Sequence, residues 1–248
     1  RQMCIRDRLI SKEKVELSAS ICKVDLVSEL VGEFPELQGI MGGYFANEQG
    51  FEKEISLAIS EQYLPIGLNS KVPKKPYSIA LSLADKIDTL VGFFGINQKP
   101  TSSKDPFALR RLALGIIKII IENKKDFKIR DLISYSSSLY MDQGFKFGNE
   151  FLQKELSDFL MDRLKFYMKE EKIRHDIIQA STNYNNPDKF VIIFGKAKSL
   201  NKIINKQNGI DLISSYKRAS NILDSELDKL NVELSNTTDP GICLLYTS

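Results

Sequence analysis

The sequence predicts an all-α protein, on three observations. Apolar residues recur every three or four positions: Leu83, Ile87, Leu90 and Phe94 form one stripe, and Leu109, Leu112, Ile116 and Ile119 another. No run alternates apolar and polar residues convincingly. Phe190 to Phe194 has strand propensity, but the FGKAKSLNKII that follows suits a helix better. Helix punctuation is strong, with Gly32 and Gly95 as stops and Asp105-Pro106 and Asn186-Pro187 as starts.

The elements follow in chain order. Lys12 to Val31 carries Val15, Leu17, Ile21, Val24 and Val27 at helical spacing and stops at Gly32. Glu33 to Gly50 holds Pro35, Gly39, Gly42, Gly43 and Gly50 and is predicted as loop with a short apolar turn. Glu52 to Tyr63 is a second helix that ends before Pro65. Residues 65–76 hold further prolines with Lys71, Lys74 and Lys75, and predict an exposed basic loop. Ser78 to Phe94 is the third helix. The loop GINQKPTSSKDP leads to a fourth over Pro106 to Glu122, with Asp105 as N-cap and Pro106 in the first turn. NKKDFK marks a boundary near residues 123–128, and helices follow at about 129–140, 149–171, 173–182, 187–205 and 210–234.

Composition bounds the function without naming it. The chain has 248 residues, 42% of them hydrophobic and 27% charged, enough for a buried core without disulfides or metals. His175 is the single histidine, which excludes a multi-histidine metal site, and no Cys-x-x-Cys spacing compensates. Gly-x-Gly-x-x-Gly and Walker A patterns are absent. The net charge of +3 is unevenly spread: about −6 over residues 9–61, +8 over 62–130 and +3 over 131–223. A basic middle segment suits a polyanionic partner.

The ends, RQMCIRDR and CLLYTS, have no helical or strand period. Suitable codons read QMCIRD and CLLYTS from opposite strands of one short DNA element, which resembles the transposon end used in sequencing-library preparation. Residues 1–8 and 243–248 are therefore expected to be non-native and are set aside from fold reasoning. Cys4 and Cys243 go with them. Cys22 is left without a disulfide partner, in keeping with a reduced setting.

Among candidate chemical groups, Asp85 and Asp88 in ADKID lie three residues apart on one helical face. Paired carboxylates serve acid–base work or metal binding, or simply a solvated surface. His175 reads as a surface histidine, and Cys22 as a buried thiol with no base to activate it. GINQKPTSSKDPFALRR is more informative, because it gathers Lys99, Lys104, Arg110 and Arg111 around a loop that opens a helix. Lys118 follows across Gly115. At least Arg111 and Lys118 are expected to project from the core, where backbone can be approached closely. Lys217 and Arg218 form a second basic spot. The competing reading pairs Arg110 or Arg111 with Asp85, Asp88 or Asp105 as a structural arginine.

Two long segments carry a resemblance. KVDLVSELVGEFPELQGIMGGYFA (23–46) and YSIALSLADKIDTLVGFFGINQKPTSSKDPFALRRLALGIIKII (77–120) resemble the β subunit of the bacterial heterotetrameric glycyl-tRNA synthetase, and YKRASNIL (216–223) resembles a later signature of the same subunit. The resemblance implies a fragment of a cytoplasmic enzyme that joins glycine to tRNA(Gly). It places ATP and magnesium at the α subunit, with tRNA binding by β and a second β subunit in the heterotetramer. It implies an HD-like helical domain over 9–123 and the start of an anticodon-binding domain over 124–242, with no catalytic residue here. The tRNA-binding candidates are then Lys99, Lys104, Arg110, Arg111, Lys118, Lys217 and Arg218. Lys23, Asp25 and Asp85 stand at degenerate HD-site positions, where Lys23-Val24-Asp25 replaces the His-Asp pair. Two other function classes stay open: an HD-type metal-dependent phosphohydrolase, and a purely structural helical assembly module.

Overall fold

A computed structural model of the chain describes residues 11–147, 149–182 and 188–236. The terminal segments 1–8 and 243–248, with Cys4 and Cys243, and the Asn186-Pro187 helix start lie outside the described residues. No strand occurs among the described residues, in keeping with the predicted class. No helix among them is long and apolar enough to cross a membrane. The chain divides into two compact units, Arg1–Ala197 and Lys198–Ser248.

The first helix differs from its prediction. α1 covers Lys12–Ile21 only, and a 3-10 turn at Val24–Val27 and the short α2 at Glu29–Glu33 follow. The cause is Asp25. Its carboxylate is buried and its Oδ2 accepts the N–H groups of Gly39 at 2.6 Å and Gly42 at 3.2 Å, which turns the chain away from the α1 axis. The Ser28 hydroxyl then caps α2 by accepting the Val31 N–H.

The glycine-rich stretch predicted as loop contains a helix, α3, at Ile40–Glu48. It packs against α4, Lys53–Glu61. Contact, not turning, explains Gly42 and Gly43. A Cβ on Gly42 would meet Ile59 Cγ2 at 2.9 Å, and one on Gly43 would meet Ser60 Cβ at 2.6 Å. Gly39, at φ 81°, supplies the turn before the helix.

α5 runs Pro76–Gly95 and α6 runs Leu109–Glu122. Of the predicted α6 stripe, Leu109, Ile116 and Ile119 are buried and Leu112 is half-buried, but Ala113, Ile117, Ile120 and Ile121 are buried too, because α6 lies between α5 and α8 (Asn149–Glu170). α6 also begins three residues after Pro106. Asp105 still caps it, from one turn back: its Oδ1 accepts the Leu109 N–H at 2.8 Å and its Oδ2 the Arg110 N–H at 3.0 Å. Ala108 adopts φ 53° to make that turn.

α7 (Ile129–Asp142) packs on α5 and α8, and α9 (His175–Thr182) packs on α8. Leu152, Leu156, Leu160 and Leu164 form the buried stripe of α8. Residues 123–128, where the sequence places a domain boundary, connect α6 to α7 inside the first compact unit. α10 covers Phe190–Ile204, with Phe190, Ile193 and Ala197 buried. The second unit holds the end of α10 and α11, Gln207–Asn236; Ile210, Leu212 and Tyr216 are exposed there.

The connection between α4 and α5 is held by its carbonyl groups. Lys86 of α5 donates to Gln62 O at 3.0 Å and Leu64 O at 2.9 Å, and Ser82 donates to Leu64 O at 2.6 Å. Lys118 of α6 donates to Leu68 O at 2.5 Å and Ser70 O at 2.6 Å, and Asn123 to Pro73 O at 3.1 Å. This loop thus meets the requirement that buried backbone polar groups find partners without any strand.

Candidate functional site

Two places in the first unit bring candidate residues together. The first is the pair of acidic positions that the resemblance relates to an HD centre. Lys23 and Asp85 form an ion pair with Nζ 2.7 Å from Oδ1. Burial of the lysine stem works against its charge, but the hydrogen bond and charge of Asp85 outweigh this and hold the Lys23 ammonium above its ordinary pKa. Asp25 is not free to join them, because its Oδ2 is occupied by two backbone N–H groups. Its Oδ1 is buried and has no hydrogen-bond partner among the described residues. No group of three histidine, cysteine, aspartate or glutamate side chains converges among the described residues. With an ammonium on one carboxylate and peptide N–H groups on the other, these residues do not fit a divalent metal.

Next to Asp85, Lys86 is 1% exposed. Its ammonium bonds Ser82 Oγ at 2.8 Å as well as the two loop carbonyls. Burial lowers its pKa to about 8, and the Asp85 charge opposes that only in part. Cys22 is buried and unpaired, and burial raises its thiol pKa.

The second place is a cleft at the start of α6, with a volume of about 450 Å³. Arg110, Arg111, Lys118 and Arg163 line it, with Asp105 as the one acid; Leu68, Leu114 and Phe166 supply apolar wall. Three of the seven candidates named from sequence thus meet in one cavity. Their roles differ. Arg111 is exposed and makes no ion pair among the described residues. The Arg110 guanidinium donates to the Thr101 carbonyl and pins the preceding loop, so its side chain is structural but bonds a carbonyl, while Asp105 takes only its backbone N–H.

Lys118 does not project from the core as expected. It is 8% exposed, holds the α4–α5 loop by two carbonyls, and lies 3.6 Å from Glu122. The close approach expected at Gly115 is made from inside, since a Cβ there would sit 3.0 Å from Lys86 Cε.

The other candidates lie elsewhere. Lys99 pairs with Glu155 of α8 and stands over the Phe151 ring at 5.1 Å. The Lys104 side chain is exposed. Lys217 and Arg218 are exposed on α11 in the second unit, where Arg218 Nε donates to Ser214 O at 3.4 Å.

Arg163 is the residue the sequence reading missed. It sits in α8 immediately before Leu164 of the buried stripe, and its guanidinium lies 5.9 Å from the Phe159 ring centre and 5.7 Å from that of Phe166. Its place beside a leucine stripe was visible in MDRLKF, but nothing in that segment tells which distant helix start it faces.

Comparison with known proteins agrees with the two long segments. The family model described as "Glycyl-tRNA synthetase beta subunit" matches residues 1–183. The chain is 41% identical over 223 residues to the glycine–tRNA ligase beta subunit of Rhodospirillum centenum, covering 90% of this chain and 31% of that protein. It is 38% identical over 247 residues to that of Dinoroseobacter shibae, covering 90% and 34%. Against that of Paracoccus denitrificans the identity is 39% over 231 residues, covering 92% and 32%. The chain therefore spans about a third of the length of these relatives.

Proposed function

The chain belongs to the glycyl-tRNA synthetase beta subunit family, and from that premise we propose that it is a tRNA-binding part of a glycine–tRNA ligase. Its role is to hold tRNA(Gly) for ATP-dependent glycylation at an α subunit, within a cytoplasmic heterotetramer that contains a second β chain. ATP and magnesium act at the α subunit. In this reading residues 9–123 are the later part of an HD-like domain, and 124–242 begin an anticodon-binding domain.

The observation that carries the reading, beside the family match, is the cationic surface of the chain. Lys104, Arg111, Lys217 and Arg218 are exposed. Such groups bind a phosphate backbone by releasing its counterions. Metal-dependent phosphohydrolysis has no support at Lys23, Asp25 and Asp85, where an ion pair and two backbone N–H groups occupy the carboxylates.

The test is charge removal in the full synthetase. Replacing Lys104, Lys217 and Arg218 with alanine is expected to weaken tRNA binding roughly tenfold or more and to flatten its dependence on log salt by about two units. Glycine activation at the α subunit should be unchanged. Equal affinity and salt slope in a folded variant would overturn the reading.

A further inference from the structure

The cleft at the start of α6 has features that surface charge alone does not explain. Its four cations come from two helices, α6 and α8, that are far apart in sequence. Two of them are committed internally, Arg110 to Thr101 O and Lys118 to Leu68 O and Ser70 O, so they add charge at fixed positions. The other two are available. Among the described residues Arg111 has no ion pair, and the buried Arg163 Nε–H has no hydrogen-bond partner. An unsatisfied buried donor on a cation calls for an anionic acceptor.

The geometry also limits the kind of anion. Asp105 already takes the Leu109 and Arg110 N–H groups, so the helix start offers no open backbone cradle for a polyphosphate. At about 450 Å³ the cleft is larger than a lone phosphate needs, it is open to solvent, and part of its wall is Leu68, Leu114 and Phe166. A group that is part phosphate and part flat apolar ring matches both halves.

We propose that this cleft receives one unpaired nucleotide of an RNA strand, its phosphate held between Arg111 and Arg163 and its base laid against Leu68, Leu114 and Phe166. Single-stranded RNA is commonly bound in this way, with splayed bases on apolar or aromatic side chains and phosphates on arginine. The inference rests on the tRNA-binding reading above and adds to it a site and a residue, Arg163.

The experiment uses the full synthetase with Arg163→Met, which keeps an apolar stem on Phe159 and Phe166, and Arg163→Lys, which keeps the charge without the fork. tRNA affinity is measured across a salt series, with circular dichroism and thermal melting to confirm the fold. Arg163→Met is expected to raise the tRNA Kd about tenfold and to reduce the salt slope by about one unit. Arg163→Lys should keep the slope and recover only part of the affinity. Wild-type affinity and slope in Arg163→Met, while the Lys104, Lys217 and Arg218 replacement still weakens binding, would overturn the nucleotide site and leave the tRNA-binding reading standing. If neither set changes binding, both fall. Titration with a nucleoside monophosphate separates the two sources of phosphate. Binding of the mononucleotide that depends on Arg163, with tRNA affinity untouched, would assign the cleft to a free nucleotide and also overturn the proposal.

Discussion

Single lysines decide much of this structure. Lys86 sits in ADKID, which reads from sequence as a solvated helical face, yet its ammonium is buried on three oxygen acceptors. The ordinary lysine pKa of 10.5 falls to about 8 in the fold because of burial. Between those two values the unfolded chain holds more protons than the folded one, so stability rises with pH across that window. The rise attributable to Lys86 is at most about 1.4 kcal/mol per pH unit. Chemical denaturation at pH 7.5, 8.5 and 9.5 should show this increment in the wild type and not in Lys86→Met. A wild type and variant that run parallel with pH would show that the fold leaves this lysine's affinity for protons unchanged. Neither Lys86 nor Lys118 was legible as a structural residue. Their partners are backbone carbonyls 22 to 50 residues away, and a carbonyl leaves no mark in a sequence. Asp105 was legible because a cap acts on its own neighbours, although the helix it caps begins one turn later than Pro106 suggested.

At the scale of elements, periodic helices were read well and irregular backbone poorly. α5 and α6 carry stripes long enough to fix their type. The break after Ile21 was hidden, because the apolar spacing of Val24 and Val27 continues the helical period through a turn that a buried carboxylate enforces. The opposite error befell Ile40–Glu48, where glycines that permit close helix contact look the same in sequence as glycines that make loops. This contact gives a prediction with an unusual sign. Alanine for glycine inside a helix ordinarily stabilises by up to about 1 kcal/mol. At Gly43 the added Cβ would lie 2.6 Å from Ser60 Cβ and 2.8 Å from Ser56 O, so Gly43→Ala should destabilise by roughly 1–3 kcal/mol through overpacking. Urea denaturation decides between the signs. A stabilised variant would mean that α3 and α4 are not in contact there.

The first unit as a whole carries a large and mostly apolar groove in addition to its basic cleft. This groove, of about 880 Å³, is lined by Val24, Val27, Leu83, Ile87, Tyr135 and Leu139 around the Lys23–Asp85 ion pair. Val27 is 87% exposed and Tyr135 68%. Contiguous apolar surface of this kind drives association. Sedimentation of this chain alone should therefore show self-association that increases with concentration, and Val27→Lys with Tyr135→Lys should reduce it. A double variant that associates as strongly as the wild type would place the sticky surface elsewhere. The overall class and the charge asymmetry were open to reading because both are sums over many residues. The cleft was only half open to it: Arg110, Arg111 and Lys118 share one segment, while Arg163 is brought to them by the packing of α8 on α6.

The loop between α4 and α5 has one more consequence, for how its order would be perceived. Side chains hold it by its carbonyl oxygens at Gln62, Leu64, Leu68, Ser70 and Pro73. Within residues 65–75, Gly67 and Ser70 alone donate their amide protons to acceptors among the described residues, each to the other's residue. Amide exchange with deuterated water reports on donors and is blind to acceptors. Apart from Gly67, Ser70 and the buried Val72, the amides of this loop would therefore exchange rapidly while its path stayed fixed, and rapid exchange there would be a record of which end of the peptide group is anchored.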